Sequence, residues 1–340
     1  MLFLAIGIFF LILAFREISA EELISGLKSA NYLWVLISLT FAFLGFLGRT
    51  YRWALLIEPL GYSPSLKNTF HALMTGYLAN FVLPRIGEIT RCGSLNRTEG
   101  IPADSLMGTV ITERISDLVV LILLVIYVFL IKIEFFGNFL YHDVILPVYL
   151  RVASWLEFSV FIYILIFITL LLLILFYRII VIWLRKFSYF RKLEKITGNV
   201  ARGMKSVFRM QRPVHFLLLT IFIWLMYYLM TWAVFMALPA TAGLGGNAVL
   251  FILVVGGLGM AAPVQGGIGT YHWIVSVALG LYGISREDGL VFATLSHESQ
   301  AIMMIIVGSF SMFMVFHVKK QGANRKFPLL NINDNRAQDE

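Results

Sequence analysis

NFVLPRIGEITR, Asn80 to Arg91, sets a proline beside an arginine and follows them with a glutamate and a second arginine. The chain around it is built for lipid. Of 340 residues, 59% are hydrophobic and 14% charged, with mean hydropathy +0.85, far more apolar than an ordinary globular protein. Apolar runs near 33–56, 106–131, 158–184, 214–238 and 289–317 each reach the roughly 20 residues that helix needs to cross a hydrocarbon core. Residues 2–15 add a sixth, shorter run. No basic residue precedes it and AFREIS is a poor small-residue cleavage site, so it reads as a retained first helix rather than a signal peptide. Cys92 is the single cysteine and makes no intrachain disulfide. The longest polar stretch, about 185–212, is too short for a soluble domain, and so is the polar tail 319–340, expected in the cytoplasm.

Within this setting the opening stretch belongs to one of two odd segments, 68–95 and 247–282, apolar but broken by Pro84 and Pro263 with glycines close by. Proline removes a backbone donor and glycine weakens a helix, so each reads as two half-helices meeting inside the membrane. In lipid, irregular backbone survives only where protein buries it or it lines a wet cavity. The segments also correspond. An offset of 179 residues sets Trp53 on Trp232, Pro84 on Pro263 and Gly87 on Gly266; an offset of 183 sets GIPAD at Gly100 on GISRE at Gly283. The order helix, helix, broken segment, helix recurs in two half-repeats, about 1–135 and 155–318, which together make up one membrane domain, 1–318.

If each broken segment dips in and returns to the same face, each half crosses three times and the second half is inverted. Charge agrees with that arrangement. The face holding 49–67, 91–97, 185–212 and the tail carries 19 Lys or Arg, against 5 on the face holding 16–32, 132–157, 239–247 and 283–288. The basic face is the cytoplasmic one by the positive-inside rule, which puts both termini in the cytoplasm. Apolar residues at helical spacing with Lys and Arg between them make 185–212 an interfacial helix for an anionic leaflet. Nucleic acid is excluded as a partner on the same ground. Trp34, Trp53, Trp155 and Trp183, near the expected span ends, read as an aromatic belt.

Ionisable residues inside a membrane are expensive, so a group of them needs mutual pairing or a watery cavity. Here the group is large: Arg85, Glu88 and Arg91 in the first broken segment, Glu113, Arg114 and Asp117 on the next helix, and His272, His297 and Glu298 in the second half. Pairs such as Arg85 with Glu113 and Glu88 with Arg114 would pin the broken segment to its neighbour. Alternatively, an open helix end with arginine beside it makes an anion site.

PRIGEITR, followed by GTVITERISDL and much later by PVQGGIGTYH, resembles the family of the lysylphosphatidylglycerol synthase transmembrane region, a flippase-like integral membrane domain, over about residues 2–318. The resemblance matches Pro84, Arg85, Gly87, Glu88 and Arg91 to the first motif, Glu113, Arg114 and Asp117 to the second, and Pro263, Gly266, Gly267 and Gly269 to the third. Where many relatives carry a glutamate soon after the glycines, this chain has Tyr271 and His272. The resemblance implies movement of a phospholipid or polyprenyl-linked lipid between leaflets of a bacterial inner membrane, and it leaves a homo-oligomer open. Its bifunctional members add a soluble aminoacyl-transfer domain, and this chain ends too soon for one, so synthesis of aminoacylated lipid is not expected.

The rival readings are a membrane-embedded enzyme acting on lipid head groups and an ion or small-solute transporter. Asp104, Asp117 and Asp143 do not cluster along the sequence as metal-assisted phosphatidyl transfer requires. HESQA at His297 fails the zinc-protease pattern, because Ala301 stands where the second histidine belongs. The expectation is therefore an all-α polytopic membrane protein of about six spans plus two re-entrant broken helices in an inverted repeat. It acts as a lipid translocase, not as an enzyme, with no cofactor and no metal. Arg85 and Arg91 would hold an anionic phosphate; Glu88, Glu113 and Asp117 would position them or meet a cationic head-group portion. Pro84, Gly87, Pro263 and the glycines of the second break would act as structural or hinge positions.

Overall fold

The computed structural model describes residues 2–16, 18–131, 167–169, 171, 210–262 and 264–318, and every described element is helical. Two compact units emerge, one from Met1–Leu121 with Val200–Glu340 and one from Ile122–Asn199. The first contains everything that follows except the end of α6. The expected span 158–184, apart from 167–169 and 171, the interfacial segment up to residue 209, the tail and Pro263 lie outside the described residues.

Four long helices occupy expected runs: α3 (Tyr32–Ile57), α6 (Ala103–Ile131), α7 (Pro213–Ala237) and α11 (Arg286–His317). By length and composition α3 with its continuation to Leu60, α7 and α11 are long and apolar enough to cross a membrane. They keep Leu217, Ile221, Ile302 and Ile306 exposed, as lipid-facing side chains should be. The chain is a multi-pass membrane protein. Before α3 come α1 (Leu2–Phe15) and α2 (Ala20–Lys28). At 14 residues α1 rises only about 21 Å, and it lies on the second half, with Phe10 against Trp273 and Phe15 against His272. Short, amphipathic α2 was not anticipated. It starts in a capping box in which Ser19 and Glu22 serve each other, and the Ser19 backbone N–H, with its hydroxyl, holds the Glu22 carboxyl below the usual range.

Both broken segments fold back on themselves. In the first, α4 (Leu66–Val82) turns through 83–86 into α5 (Gly87–Glu99). Gly87 is obligatory there: a Cβ would collide with the Gly76 carbonyl oxygen and come within 2.6 Å of Asn80 Nδ2, so only glycine lets the two backbones touch. Asn80 Oδ1 then accepts the Gly87 N–H at 2.8 Å and closes the turn. In the second, α9 (Gly246–Ala261) passes through 262–269 into α10 (Thr270–Gly280), and Thr270 Oγ1 donates to the Gly259 carbonyl at 2.9 Å. The break turns on positive φ at Gly266 (57°) and Gly269 (84°), the left-handed region that side chains resist.

Helices α3 and α7 pair antiparallel. Trp34 meets Trp232 near one end of the α3–α7 contact, and Arg52 reaches Thr220 near the other. The hairpin tips meet as well, since a Cβ on Gly266 would come within 2.7 Å of the Phe81 ring. Helix α11 braces both hairpins, through Ser311 to His71 on α4 and Ser296 to Tyr271 on α10.

The structure corrects two readings. Trp53 is no belt residue: it is fully buried, donates to Thr109 Oγ1 at 2.9 Å and carries the Arg91 guanidinium over its ring at 4.7 Å. Arg49, Arg52 and Arg91 are buried inside the fold, not on a basic loop face. Without them, the sequence assigns 16 basic residues to that face against 5.

Candidate functional site

A cavity of about 770 Å³ opens between the two hairpin tips. The first hairpin contributes Tyr77, Asn80, Phe81, Pro84, Arg85 and Glu88; the second adds Ile252, Gly256, Met260, Gly266 and Tyr271 among others; α3, α7, α6 and α11 add Arg49, Tyr227, Arg114, His297 and Gln300. Its lining is otherwise mostly apolar, as small-ligand sites are. Arg85 sits at the first tip with φ 63°, the single non-glycine residue with positive φ among those described. Such a conformation costs on the order of 1–3 kcal/mol and persists only where the surroundings impose it. The side chain is exposed, and its hydrogen bond to the facing hairpin is a long one, 3.4 Å from Nη2 to the Ala261 carbonyl. No carboxylate among the described residues lies within ion-pair distance of Arg85.

One wall of the cavity rests on a buried ion cluster. Arg49 Nη2 lies 2.7 Å from Glu113 Oε1 and 2.8 Å from Asp117 Oδ2, while its Nη1 donates to the Tyr227 hydroxyl at 2.9 Å. Arg52 Nη2 lies 2.6 Å from Asp117 Oδ1, and Arg91 Nη1 lies 3.0 Å from Glu113 Oε2. Arg49 and Arg52 are three apart on α3, Glu113 and Asp117 four apart on α6, so each pair shares a helix face. Three guanidiniums meet two carboxylates, which leaves one formal positive charge over beside the cavity.

Residues 1–308 match the family described as the lysylphosphatidylglycerol synthase TM region. The chain belongs to that family. A UPF0104 membrane protein of Methanocaldococcus jannaschii is 27% identical over 128 residues, 37% of this chain. The match spans 38% of that relative's own length. No solved structure matches the chain.

In this lysylphosphatidylglycerol synthase TM region protein the anticipated charged residues divide into three groups. Arg85, Glu88 and Arg114 line the cavity, with Arg114 Nη2 2.7 Å from Glu88 Oε1 in a partly exposed pair. Arg91, Glu113 and Asp117 belong to the buried cluster instead. Glu113 pairs with Arg49, Arg52 and Arg91 and not with Arg85, because α5 turns Arg91 toward α6 while the tip carries Arg85 out into the cavity. The third group, His272, His297 and Glu298, gathers behind the second tip, where Glu298 Oε1 lies 2.9 Å from His297 Nδ1 and 3.5 Å from His272 Nε2.

Arg49 and Arg52 were missed as site residues. They stand near the end of an apolar run, where arginine ordinarily marks the membrane surface. Their three-residue spacing, matched by the four-residue spacing of Glu113 and Asp117, was the available signal.

Proposed function

We propose that this chain moves a lipid with an anionic or zwitterionic head group between the leaflets of a bacterial inner membrane. The observation that carries the reading is Arg85: an exposed guanidinium held in a strained turn, with no carboxylate partner among the described residues, at the mouth of a cavity between two facing hairpins. A guanidinium grips phosphate with two parallel hydrogen bonds. The apolar lining suits the first carbons of an acyl or prenyl chain, and the surplus charge of the buried cluster favours an anion.

In this reading the two halves form an inverted repeat, their hairpins are re-entrant, and the Phe81–Gly266 contact separates as one half rocks against the other, as in transporters with paired discontinuous helices. Both termini face the cytoplasm, and 185–212 lies on the anionic leaflet. Phospholipid and polyprenyl-linked lipid fit the same chemistry.

The test is reconstitution. In liposomes carrying a head-group-labelled phosphatidylglycerol or a labelled polyprenyl phosphate, the protein is expected to expose inner-leaflet label to an impermeant quencher, with the lipid's mass unchanged. A lipid of altered mass would replace translocation by head-group chemistry.

A further inference from the structure

We propose that His272, His297 and Glu298 form a binding site for a divalent transition-metal ion of the zinc class, tying the second hairpin to α11. The three donors come from two elements, His272 from α10 and the adjacent pair from α11, and their ligand atoms all lie within 4.8 Å of one another. Both imidazoles are buried, while the Glu298 side chain is about half exposed.

Hydrogen-bond direction makes the case. His297 Nε2 lies 2.8 Å from the Gly266 carbonyl oxygen, which can only accept, so Nε2 carries a proton. In the neutral ring Nδ1 then presents its lone pair, and it faces Glu298 Oε1 at 2.9 Å. Two acceptors do not settle at that distance without a cation between or beside them. A backbone carbonyl on the far nitrogen is also the usual orienting partner of a metal-bound histidine.

The cation could be a proton or a metal, and His272 favours the metal. A proton shared by His297 and Glu298 serves that pair alone, whereas a metal would also use His272, whose Nε2 lies 3.5 Å from the same Oε1. A tetrahedral ion with bonds of about 2.0–2.2 Å holds its ligand atoms about 3.3–3.6 Å apart; the His272–Glu298 spacing of 3.5 Å falls in that range, and the His297–Glu298 spacing of 2.9 Å must widen by about half an ångström on binding. Two imidazoles and one carboxylate suit zinc or a neighbouring divalent ion and leave a fourth position open beside Glu298. The Gly269 N–H points at His272 Nδ1 from 3.4 Å; this long contact is given up when Nε2 is the ligand. Aromatic rings of Phe15 and Tyr271 pack against the two imidazoles and fix their orientation. HESQA fails as a zinc motif because that pattern requires both histidines on one helix, whereas here the second comes from the facing element.

The experiment uses full-length protein in detergent, loaded with Zn²⁺, freed of excess by gel filtration and assayed by elemental mass spectrometry. About one ion per chain is expected, with occupancy falling about tenfold or more in H297A and E298Q and unchanged in H317A. Wild-type protein loaded with Co²⁺ should show the visible bands of tetrahedral coordination, a readout that holds if the variants fail to fold. No retained metal in wild type, full retention in H297A and E298Q together, or octahedral Co²⁺ spectra would each overturn the proposal. A metal-free protein whose melting temperature depends on pH through His297 would hand the site to a proton.

Discussion

Arg49 and Glu113 meet across the α3–α6 contact at 2.7 Å, and Glu113 is wholly closed to solvent. Five charges therefore share one buried cluster, in which each arginine leans on Glu113. Removing one partner of a buried pair leaves the others uncompensated, at a cost of about 3–5 kcal/mol. Glu113→Gln is expected to lower the detergent melting temperature and the yield sharply. Glu88→Gln, which breaks a partly exposed pair with Arg114, should cost at most about 1 kcal/mol. Thermal unfolding of the two variants side by side checks this; equal stability would mean that the cluster is not held together as described.

Arg85 separates ligand from scaffold. Arg85→Gly removes the left-handed strain and is expected to hold or raise stability by up to about 1 kcal/mol, while translocation is lost. Arg85→Lys keeps the charge but not the planar fork and should lose most activity. A destabilised Arg85→Gly, or full translocation by it, rejects the anion-binding role.

The first hairpin depends on backbone contact at Gly87. Gly87→Ala is expected to cost about 1–3 kcal/mol by overpacking against Gly76 and Asn80. Gly93, on the same helix, faces open space, with nothing within 4 Å of where a Cβ would stand, so Gly93→Ala should gain up to about 1 kcal/mol from helix propensity. Unfolding midpoints of both variants test the contact directly.

Topology is open to labelling. In a Cys92→Ser background, a cysteine at Arg97 should resist an impermeant thiol reagent outside intact cells, and one at Glu21 should react. Arg97 and Glu21 are both exposed. Labelling of Arg97 from outside with protection of Glu21 would reverse the proposed orientation.

The membrane class, the long helices and the two breaks were legible in the sequence because they rest on local quantities. Apolar length selects a spanning helix, and proline with glycine interrupts it. Arg85 in PRIGEITR was legible as unusual for the same reason: charge in an apolar run is costly wherever it folds. The Glu88–Arg114 pair was anticipated and forms; the other pairings were decided only in three dimensions. Arg91 and Arg85, six residues apart, end in different environments because a turn and a helix face separate them, and Arg49 and Arg52 join the site from a helix whose sequence reads as an ordinary span end. Likewise His272 and Glu298 are 26 residues apart along the chain and 3.5 Å apart in space. Pairing energy falls off over a few ångströms, and the distances that set it come from how α3, α6, α10 and α11 pack, which no single stretch of sequence specifies.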